Sequence, residues 1–453
     1  MRHWLKSDPI VIVAGRGAVL RDDQGRQYLD ANSSIWTNLH GHRHPAINAA
    51  IRRQLGKIAH SSALGLANEP ASLLAAKLAA LAGYSKKHTL ARVFFSDDGS
   101  TAMEAALKMA HQFALRTGRC RRPKFLSLQR AYHGDTVGAV SLGHIDLFHK
   151  AYGGLLFKTD IAPAPFCYRC PFNRARPQRA DARLYRQCQW ECAGVLEQKF
   201  AAQSKKGEPY AAFVFEPLIQ GAAGMAPQPD GWLARAAHIA RRHGALLIAD
   251  EVLTGFGRAG PLFACQKESV APDLMALAKG MTGGYLPMGA TLATRPIFNA
   301  FLGRHDEFKT FFHGHSYTAN QLGAAASLAS LRLLQSPASF RARNLLQEAL
   351  AEALQTLWPL PNVGDIRQVG LIAGVELVAD WRTRRPFAPR QRMGARVCEA
   401  MARRGVLTRP IGDVIVLMPP YCTTSAQVER MVAVLRQSIE DQTLKKPTLE
   451  SLS

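Results

Sequence analysis

The sequence has few cysteines and no long apolar run, and both shortages narrow the class of protein. Eight cysteines in 453 residues are too few for the disulfide framework of a small secreted domain. No apolar stretch approaches the roughly 18 residues needed to span a bilayer. The N-terminus MRHWLKSDPIVIVAGRG carries only a short apolar run and a nearby acid. We therefore expect no signal peptide, no membrane partner and a cytoplasmic location.

Acidic residues are also scarce relative to basic ones. The chain has 34 Asp and Glu against 57 Lys and Arg, which gives a formal net charge of +23. Such a charge favours nucleic-acid binding where basic residues form a stripe or tail. Here they are scattered, with local clusters only at 116–124 and 173–179. We predict a solvated, arginine-rich surface without a nucleic-acid partner, and keep a nucleic-acid-binding protein as an alternative class.

Four of the cysteines are close together in the sequence. Cys167 and Cys170 form a Cys-x2-Cys pair, and Cys188 and Cys192 form a Cys-x3-Cys pair, a spacing that resembles zinc-ligand sets. The surrounding segment is rich in proline and arginine. We predict reduced thiols in a loop or in packing, with a structural metal as the alternative. The strings HGHRH and HGH lie in predicted loops without an accompanying carboxylate set, so we expect no metal there either.

The middle of the sequence alternates between short apolar runs and amphipathic helices. The runs ARVFFS, KFLSL, AAFVFE, ALLIADE, LMALAKG and GATLAT are each typical of a buried strand. Between the first two, TAMEAALKMAHQFAL places Met103, Ala106, Leu107, Ala110 and Ala114 on one helical face. This alternation predicts an α/β fold, with a mostly parallel sheet covered by helices on both faces.

The two ends of the sequence differ from this middle. The first 30 residues have β-rich runs broken by turns, and long helices after about residue 320 lead into a β-rich and helical C-terminal part. We predict that residues 1–60 are the N-terminal part of a small domain. Residues 61–324 would form the large domain, and residues 325–453 the rest of the small α+β domain.

An aspartate and a lysine 29 residues apart, each at the end of a predicted strand, are the most informative pair. Asp250 ends one apolar run and Lys279 ends the next. A buried carboxylate needs a cationic partner, and the pyridinium nitrogen of pyridoxal phosphate (PLP) would be one. Lys279 would form a Schiff base with the PLP aldehyde, and desolvation would lower the lysine pKa. Either residue alone is most often structural, but the pair predicts a PLP enzyme.

Other polar residues also follow predicted strands. Gly99 and Ser100 stand immediately before a helix, where they would either cradle a phosphate or simply cap the helix. Tyr132 would stack on a pyridine ring or occupy a turn. Glu216 closes the strand AAFVFE, with Gln220 shortly after it. Glu216 would either orient groups beside a cofactor or only end its strand.

With these residues assembled, the chain resembles the class III aminotransferases of PLP fold type I. The likeness is strongest to the adenosylmethionine–8-amino-7-oxononanoate aminotransferase family of biotin synthesis and covers nearly the whole chain. General class III features are IADEVLTGFGRAG and LAKGMTGGYLPMGATL. The motifs AYHGDT, HGHSYTANQ and VLTRPIGDVIVLMPP are similar to the biotin enzyme in particular. The resemblance implies a seven-stranded central sheet in a PLP-binding large domain, and a homodimer with shared active sites.

The resemblance also implies roles for individual residues around the cofactor. Lys279 would be the Schiff-base lysine, Asp250 the partner of the pyridine nitrogen and Tyr132 the residue stacked on the ring; these three are the predicted catalytic residues. The phosphate would be held by residues of both subunits, namely Gly99 and Ser100 of one and Ser316 of the other.

A second set of implied roles concerns the substrates. Trp36 would line the pocket, and Arg409 would bind the carboxylate of the oxononanoate. Tyr132 and Gly314 are further implied substrate-binding residues, and Asp135 and Arg258 resemble substrate-site residues of the family. The small-molecule partners would be 8-amino-7-oxononanoate and an amino donor.

Three departures from the family pattern bear on the substrates. Family members commonly carry an aromatic segment before the first strand, which supplies a tyrosine to the substrate site. The sequence here starts after that segment, so we expect either a pocket without this tyrosine or a true start further upstream. Ile35 stands where adenosylmethionine-using members often have a second tryptophan, and Ala319 replaces a glycine. The amino donor is therefore either S-adenosylmethionine or lysine. Another class III aminotransferase, acting on an ω-amino acid or a diamine, is the alternative function.

Overall fold

The computed structural model describes residues 8–85 and 88–444. Its strands, in chain order, are β1 Ile12–Arg16, β2 Val19–Asp22, β3 Gln27–Asp30, β4 Gly83–Ser85, β5 His88–Thr89, β6 Arg92–Ser96, β7 Phe125–Leu128, β8 Asp160–Ala162, β9 Ala212–Phe215, β10 Ile219–Gln220, β11 Ala226–Pro227, β12 Leu246–Asp250, β13 Leu274–Leu277, β14 Gly289–Ala293, β15 Val363–Val369, β16 Ile372–Leu377, β17 Val406–Leu407, β18 Pro410–Ile411 and β19 Val414–Leu417. Its helices are α1 Pro45–Leu55, α2 Glu69–Leu81, α3 Gly99–Arg116, α4 Val137–Leu142, α5 Asp146–His149, α6 Glu191–Lys205, α7 Trp232–Arg242, α8 Arg295–Asn299, α9 Gln321–Leu334, α10 Pro337–Gln355, α11 Met393–Arg403 and α12 Ser425–Leu444.

The central sheet has seven strands in the order β6-β14-β13-β12-β9-β7-β8. Strands β13, β12, β9, β7 and β8 are parallel, whereas β14 is antiparallel to both of its neighbours. Apolar side chains of these strands are buried on both faces and pack into three core clusters. The predicted α/β fold with a mostly parallel, seven-stranded sheet is confirmed.

Helix α3 shows why the predicted pattern folds as it does. Its five predicted core residues, Met103, Ala106, Leu107, Ala110 and Ala114, are all buried. The helix begins after Asp98, whose carboxylate accepts a hydrogen bond from the first turn and so satisfies an otherwise unpaired N–H group. Burial of one face and a capped start together fix α3 at the end of β6, beside the carboxyl ends of the parallel strands.

Two smaller sheets flank this core. Strands β1, β2 and β3 form a sheet whose fourth strand is β17, so residues from the two ends of the chain pair directly. Strands β15, β16, β19 and β18 form the other sheet, which α10, α11 and α12 accompany in one apolar cluster. The domain boundaries at 60 and 324 stay a prediction.

Two further expectations from the sequence concern the state of the cysteines and the presence of membrane-spanning helices. All eight cysteines are free, and Cys167 and Cys192 are buried while Cys170 and Cys188 are partly exposed. Among residues 8–85 and 88–444, no three His, Cys, Asp or Glu side chains are grouped as metal ligands. In that same part of the chain, no helix is both long enough and apolar enough to cross a bilayer.

Candidate active site

The carboxyl ends of the parallel strands deliver polar side chains to one cavity of about 680 Å³. Asp250 is the last residue of β12, Glu216 directly follows β9, and Lys279 lies two residues beyond β13. Ligands of parallel α/β sheets bind at this edge. The predicted residues that line the cavity are Trp36, Gly99, Ser100, Tyr132, Asp135, Glu216, Asp250 and Lys279.

Lys279 occupies the floor of this cavity. It opens a short 3-10 turn at Lys279–Thr282 with a left-handed φ of 41°, a costly conformation for a residue with a side chain. Its ammonium lies 5.2 Å from the centroid of the Trp36 ring. Burial lowers the pKa of Lys279, against the opposing effect of Asp250 and Glu216. The amine is therefore easier to deprotonate than that of an exposed lysine.

Asp250 is 5% exposed and is oriented by a buried histidine. Its Oδ2 lies 2.7 Å from Nδ1 of His133, and its Oδ1 accepts a hydrogen bond from the N–H of Val252 at 3.1 Å. Nε2 of His133 has no hydrogen-bond partner among the described residues. The Asp250 carboxylate is thus held in one orientation and retains capacity to accept a hydrogen bond from a group in the cavity.

Glu216 is buried beside this pair. Its Oε1 accepts a hydrogen bond from the N–H of Tyr132 at 3.4 Å, and its Oε2 accepts one from the N–H of Gly221 at 2.7 Å. Burial raises the pKa of Glu216 to about 7, helped by the nearby Asp250 carboxylate and opposed by His133. Glu216 therefore joins two cavity-lining loops and changes its charge near neutral pH.

Replacing Glu216 with glutamine should change how stability depends on pH. The native pKa of about 7 lies above the ordinary glutamate value of 4.5, so protonated Glu216 favours the folded state at pH 5 and this contribution disappears as pH rises through 7. The difference in free energy of unfolding between Glu216→Gln and the parent should therefore shift in favour of the variant as the pH rises from 5 to 8, by about 3 kcal/mol at most. Denaturant unfolding of the cofactor-free protein measures it.

Glu307→Gln is a suitable control for that titration. The Glu307 pKa is lowered by hydrogen bonds from Lys309 and from the N–H of Arg304, so removal of this carboxylate should give no gain over the same pH range. Parallel stability curves for Glu216→Gln and the parent would contradict the assigned titration.

The start of α3 forms a compact polar pocket at the edge of the cavity. Gly99 and Ser100 are its first two residues, and N–H groups of a first helical turn bind anions. Ser100 Oγ lies 2.9 Å from Thr136 Oγ1 and accepts a hydrogen bond from the N–H of Thr136 at 2.9 Å. A Cβ at Gly134, where φ is 121°, would lie 2.3 Å from Ser100 Oγ. This crowding requires glycine at 134.

Two predicted aromatic residues, Tyr132 and Trp36, also line the cavity. The Tyr132 hydroxyl donates a hydrogen bond to Asp135 Oδ2 at 2.9 Å, and its ring lies nearly parallel to His149, 6.2 Å away between centroids. Burial and the Asp135 contact raise the Tyr132 pKa, so the phenol stays neutral. Trp36 is 9% exposed, and its Nε1 donates a hydrogen bond to Asn32 Oδ1 at 2.8 Å.

Three predicted residues are not brought to this cavity within one chain. Ser316, Gly314 and Arg409 are exposed and do not line it. The loop that carries the first two nevertheless reaches the cavity rim, because Nδ1 of His315 lies 3.2 Å from Oδ2 of the lining residue Asp97. The roles of Ser316, Gly314 and Arg409 stay predictions.

Two other candidates make structural contacts instead. Arg258 is 1% exposed, and its guanidinium donates hydrogen bonds to the carbonyl oxygens of Pro419 at 2.7 Å and Asn38 at 2.9 Å. Gln220 Nε2 donates to the carbonyl oxygen of Gln129 at 3.2 Å. Both residues tie neighbouring loops together, and neither lines the cavity.

Sequence reasoning missed three residues that support the site. His133 orients Asp250, and Thr136 contacts Ser100 and donates a hydrogen bond to Glu104 Oε1 at 2.6 Å. Two of the three follow Tyr132 in the motif AYHGDT, so the signal that could have found them was their closeness in sequence to Tyr132. Glu104 lies one helical turn beyond Ser100, on the same side of α3.

Comparisons with known proteins agree with this geometry. The sequence profile described as "Aminotransferase class-III" matches residues 2–439. An adenosylmethionine-8-amino-7-oxononanoate aminotransferase of Nitratidesulfovibrio vulgaris is 49% identical over 97% of this chain and 78% of the relative. The protein of the same name from Geobacter sulfurreducens is 47% identical over 97% of this chain and 94% of the relative.

Solved structures give the same result. The adenosylmethionine-8-amino-7-oxononanoate aminotransferase of Methanocaldococcus jannaschii superposes with a TM-score of 0.88 at 38% identity, over 97% of this chain and 95% of that one. A PLP-bound amine transaminase from an uncultivated Pseudomonas species superposes with a TM-score of 0.87 at 34% identity, over 96% of each chain. With these matches and the strand-end lysine and aspartate, the chain belongs to the class III aminotransferases, which are PLP-dependent transferases of amino groups.

Proposed function

We propose that this enzyme transfers an amino group to 8-amino-7-oxononanoate, giving 7,8-diaminononanoate in biotin synthesis, with S-adenosylmethionine or lysine as the donor. The observation that carries the proposal is the pair of relatives with that printed activity, 49% and 47% identical over 97% of this chain. The cavity supports it, because Lys279, Asp250 and Tyr132 line one space together with Trp36.

The residues present fit PLP. Asp250 is a buried carboxylate with free acceptor capacity, which suits a protonated ring nitrogen, and the start of α3 with Ser100 suits a phosphate. We propose that Asp250, Tyr132, Gly99, Ser100 and Lys279 hold the cofactor. When bound, PLP supplies an aldehyde that takes up amino groups and a ring that accepts electrons.

Lys279 supplies the nucleophile and the proton carrier. Its Nζ must be unprotonated to attack a carbonyl carbon, and burial of the amine favours that form. When not bonded to the cofactor, the same Nζ would accept the proton that leaves the amine-bearing carbon of the donor and would deliver it to the aldehyde-derived carbon of PLP. The Trp36 ring lies beside this amine, with its centroid 5.2 Å from Nζ.

Asp250 and Glu216 have different roles beside the cofactor. Asp250, fixed by His133, keeps a negative charge where a cationic ring nitrogen would lie. Glu216 connects the N–H groups of Tyr132 and Gly221 and so keeps the stacking tyrosine in place.

We also propose that Arg409 binds the substrate carboxylate, as the family pattern around it implies.

A competition assay tests the substrate. Purified holoenzyme is offered 8-amino-7-oxononanoate, pyruvate and 2-oxoglutarate as acceptors, each with S-adenosylmethionine or lysine as donor. We expect amination of the oxononanoate with one of the two donors, at a kcat/KM well above that of the other acceptors. Amination of pyruvate and 2-oxoglutarate alone would contradict the proposal.

A solved structure supports considering acceptors other than the oxononanoate. The amine transaminase that superposes with a TM-score of 0.87 shows that the fold also serves other amines. The alternative function is therefore transamination of an ω-amino acid or a diamine, and the same assay identifies it.

We also propose that the enzyme is a homodimer with shared active sites. The loop with Gly314 and Ser316 exposes Phe312 by 65% and Tyr317 by 62%, although large apolar side chains usually avoid water. Docking of this loop on a second copy would bring Ser316 to the partner's phosphate pocket. Light scattering should give the mass of two chains, and a monomer at assay concentration would contradict the proposal.

We propose a cytoplasmic location as well. Eight free thiols, of which Cys170 and Cys188 are partly exposed and Cys422 is exposed, suit a reducing compartment. Cell fractionation that recovers the enzyme outside the cytoplasm would contradict it.

A further inference from the structure

Residues 33–36, between β3 and α1, form a left-handed turn. The φ angles are 47° at Ser33, 47° at Ser34, 64° at Ile35 and 70° at Trp36. L-residues rarely adopt this conformation in succession, and a β-branched residue such as Ile35 does so least readily. Strained backbone persists only where its surroundings hold it, so the contacts of this turn explain how Trp36 reaches the cavity.

The Asp30 carboxylate contacts this turn through Ser34 and also bonds Asn32 just before it. Asp30 is the last residue of β3 and is 2% exposed. Its Oδ1 accepts hydrogen bonds from the N–H of Ser34 at 3.0 Å and of Asn32 at 3.3 Å, and its Oδ2 accepts one from Ser34 Oγ at 2.9 Å. Nε2 of His42 lies 2.9 Å from the same Oδ2. Both oxygens of one carboxylate therefore clamp the turn.

The clamped turn determines where Trp36 lies. The N–H of Trp36 donates to the carbonyl oxygen of Asn32 at 2.9 Å, and the indole Nε1 donates to Oδ1 of the same asparagine at 2.8 Å. Asn32 in turn donates its own N–H to Asp30. A continuous path of hydrogen bonds thus runs from the Asp30 carboxylate to the ring that faces the Lys279 ammonium.

We propose that Asp30 is a positioning residue for transamination, which sets the Trp36 wall beside Lys279 by holding the left-handed turn. Asp30 does not line the cavity, so it acts through the turn and not by contact with substrate. The kinetic part of this inference rests on the proposed function, since the substrate would sense the position of Trp36.

Asp30→Asn tests the clamp with nearly unchanged volume. An asparagine keeps one acceptor oxygen but loses the charge, and its NH2 group faces Nε2 of His42, which donates when Nδ1 accepts from Asn38, so the Oδ2 side of the clamp is weakened. We expect the KM for the oxononanoate to rise about tenfold or more, with a smaller change in kcat, because the substrate wall moves. The matched control is Asp22→Asn.

Asp22 is a carboxylate of similar burial in the same small sheet. It is 1% exposed and accepts hydrogen bonds from the Tyr28 hydroxyl at 2.9 Å and from Arg26 at 2.8 Å, away from the turn. Asp22→Asn should lower thermal stability without changing KM. Equal KM changes in the two variants would overturn the proposal, since a general loss of stability would then explain both.

Fluorescence gives a readout that does not depend on activity. The emission of Trp36 is obtained as the difference between each protein and its Trp36→Phe version. It should shift to the red in Asp30→Asn and stay unchanged in Asp22→Asn, because release of the turn exposes the indole. An unshifted emission overturns the proposal, whereas a parent that fails to aminate the oxononanoate overturns only the proposed function. If Asp30→Asn does not fold, Ser34→Ala removes one contact and should shift the emission in the same direction.

Discussion

Replacing Lys279 with alanine should abolish transamination and the visible absorbance band of the bound cofactor. The residue supplies both the nucleophile and the proton carrier, so we expect kcat to fall by about 10⁴-fold or more. Its amine lies in the cavity beside Asp250 and Glu216, and no exposed lysine would substitute for it in that position. Steady-state kinetics and an absorbance spectrum of the PLP-loaded protein measure both effects.

Lys267 provides the control for that variant. Its ammonium pairs with Asp230 at 3.4 Å on the surface, and its side chain is 45% exposed. Lys267→Ala should therefore keep both the absorbance band and the activity. Residual activity of Lys279→Ala close to that of the parent would contradict the assignment of the nucleophile.

Replacing Asp250 with asparagine should have the second largest effect. Asparagine has the same shape but lacks the charge that would keep a ring nitrogen protonated. Its amide would also change the contact in which Nδ1 of His133 lies 2.7 Å from Oδ2 of Asp250. We expect kcat to fall by about 10³-fold, in the range seen when one group that stabilises developing charge is removed. Cofactor affinity should fall as well, as measured by titration of the cofactor-free protein with PLP.

A second aspartate of the same sheet separates charge loss at the site from general damage. Asp160, the first residue of β8, accepts a hydrogen bond from the Tyr210 hydroxyl at 2.6 Å and does not line the cavity. Asp160→Asn should bind PLP and turn over normally. Unchanged PLP affinity and kcat in Asp250→Asn would show that Asp250 is structural.

The sequence could predict the site residues that lie at the ends of strands. Asp250, Glu216 and Lys279 follow apolar runs that form parallel strands, and parallel strands bring their carboxyl ends to one edge. A local pattern is enough to locate such residues, because the sheet does the rest. Helix α3 was predictable for the same reason, since its apolar face and its polar start are both local signals.

The rest depends on contacts between distant parts of the chain. The hydrogen bond from Arg258 to the carbonyl oxygen of Asn38 spans 220 residues, and no local pattern separates such a guanidinium from one that binds substrate. The left-handed turn at residues 33–36 was not foreseen either, because two serines, an isoleucine and a tryptophan do not favour positive φ. Ser316 does not line the cavity of its own chain, so its predicted role beside the phosphate stays a prediction.

The pairing of β3 with β17 has a consequence for synthesis of the protein. Leu29 pairs with Val406, and the N–H of Ala31 donates to the carbonyl oxygen of Leu407 at 2.9 Å. A ribosome that has released the first 60 residues must still add more than three hundred before this strand gains its neighbour. The nascent chain therefore carries an unpaired strand edge until residues 406 and 407 have been added.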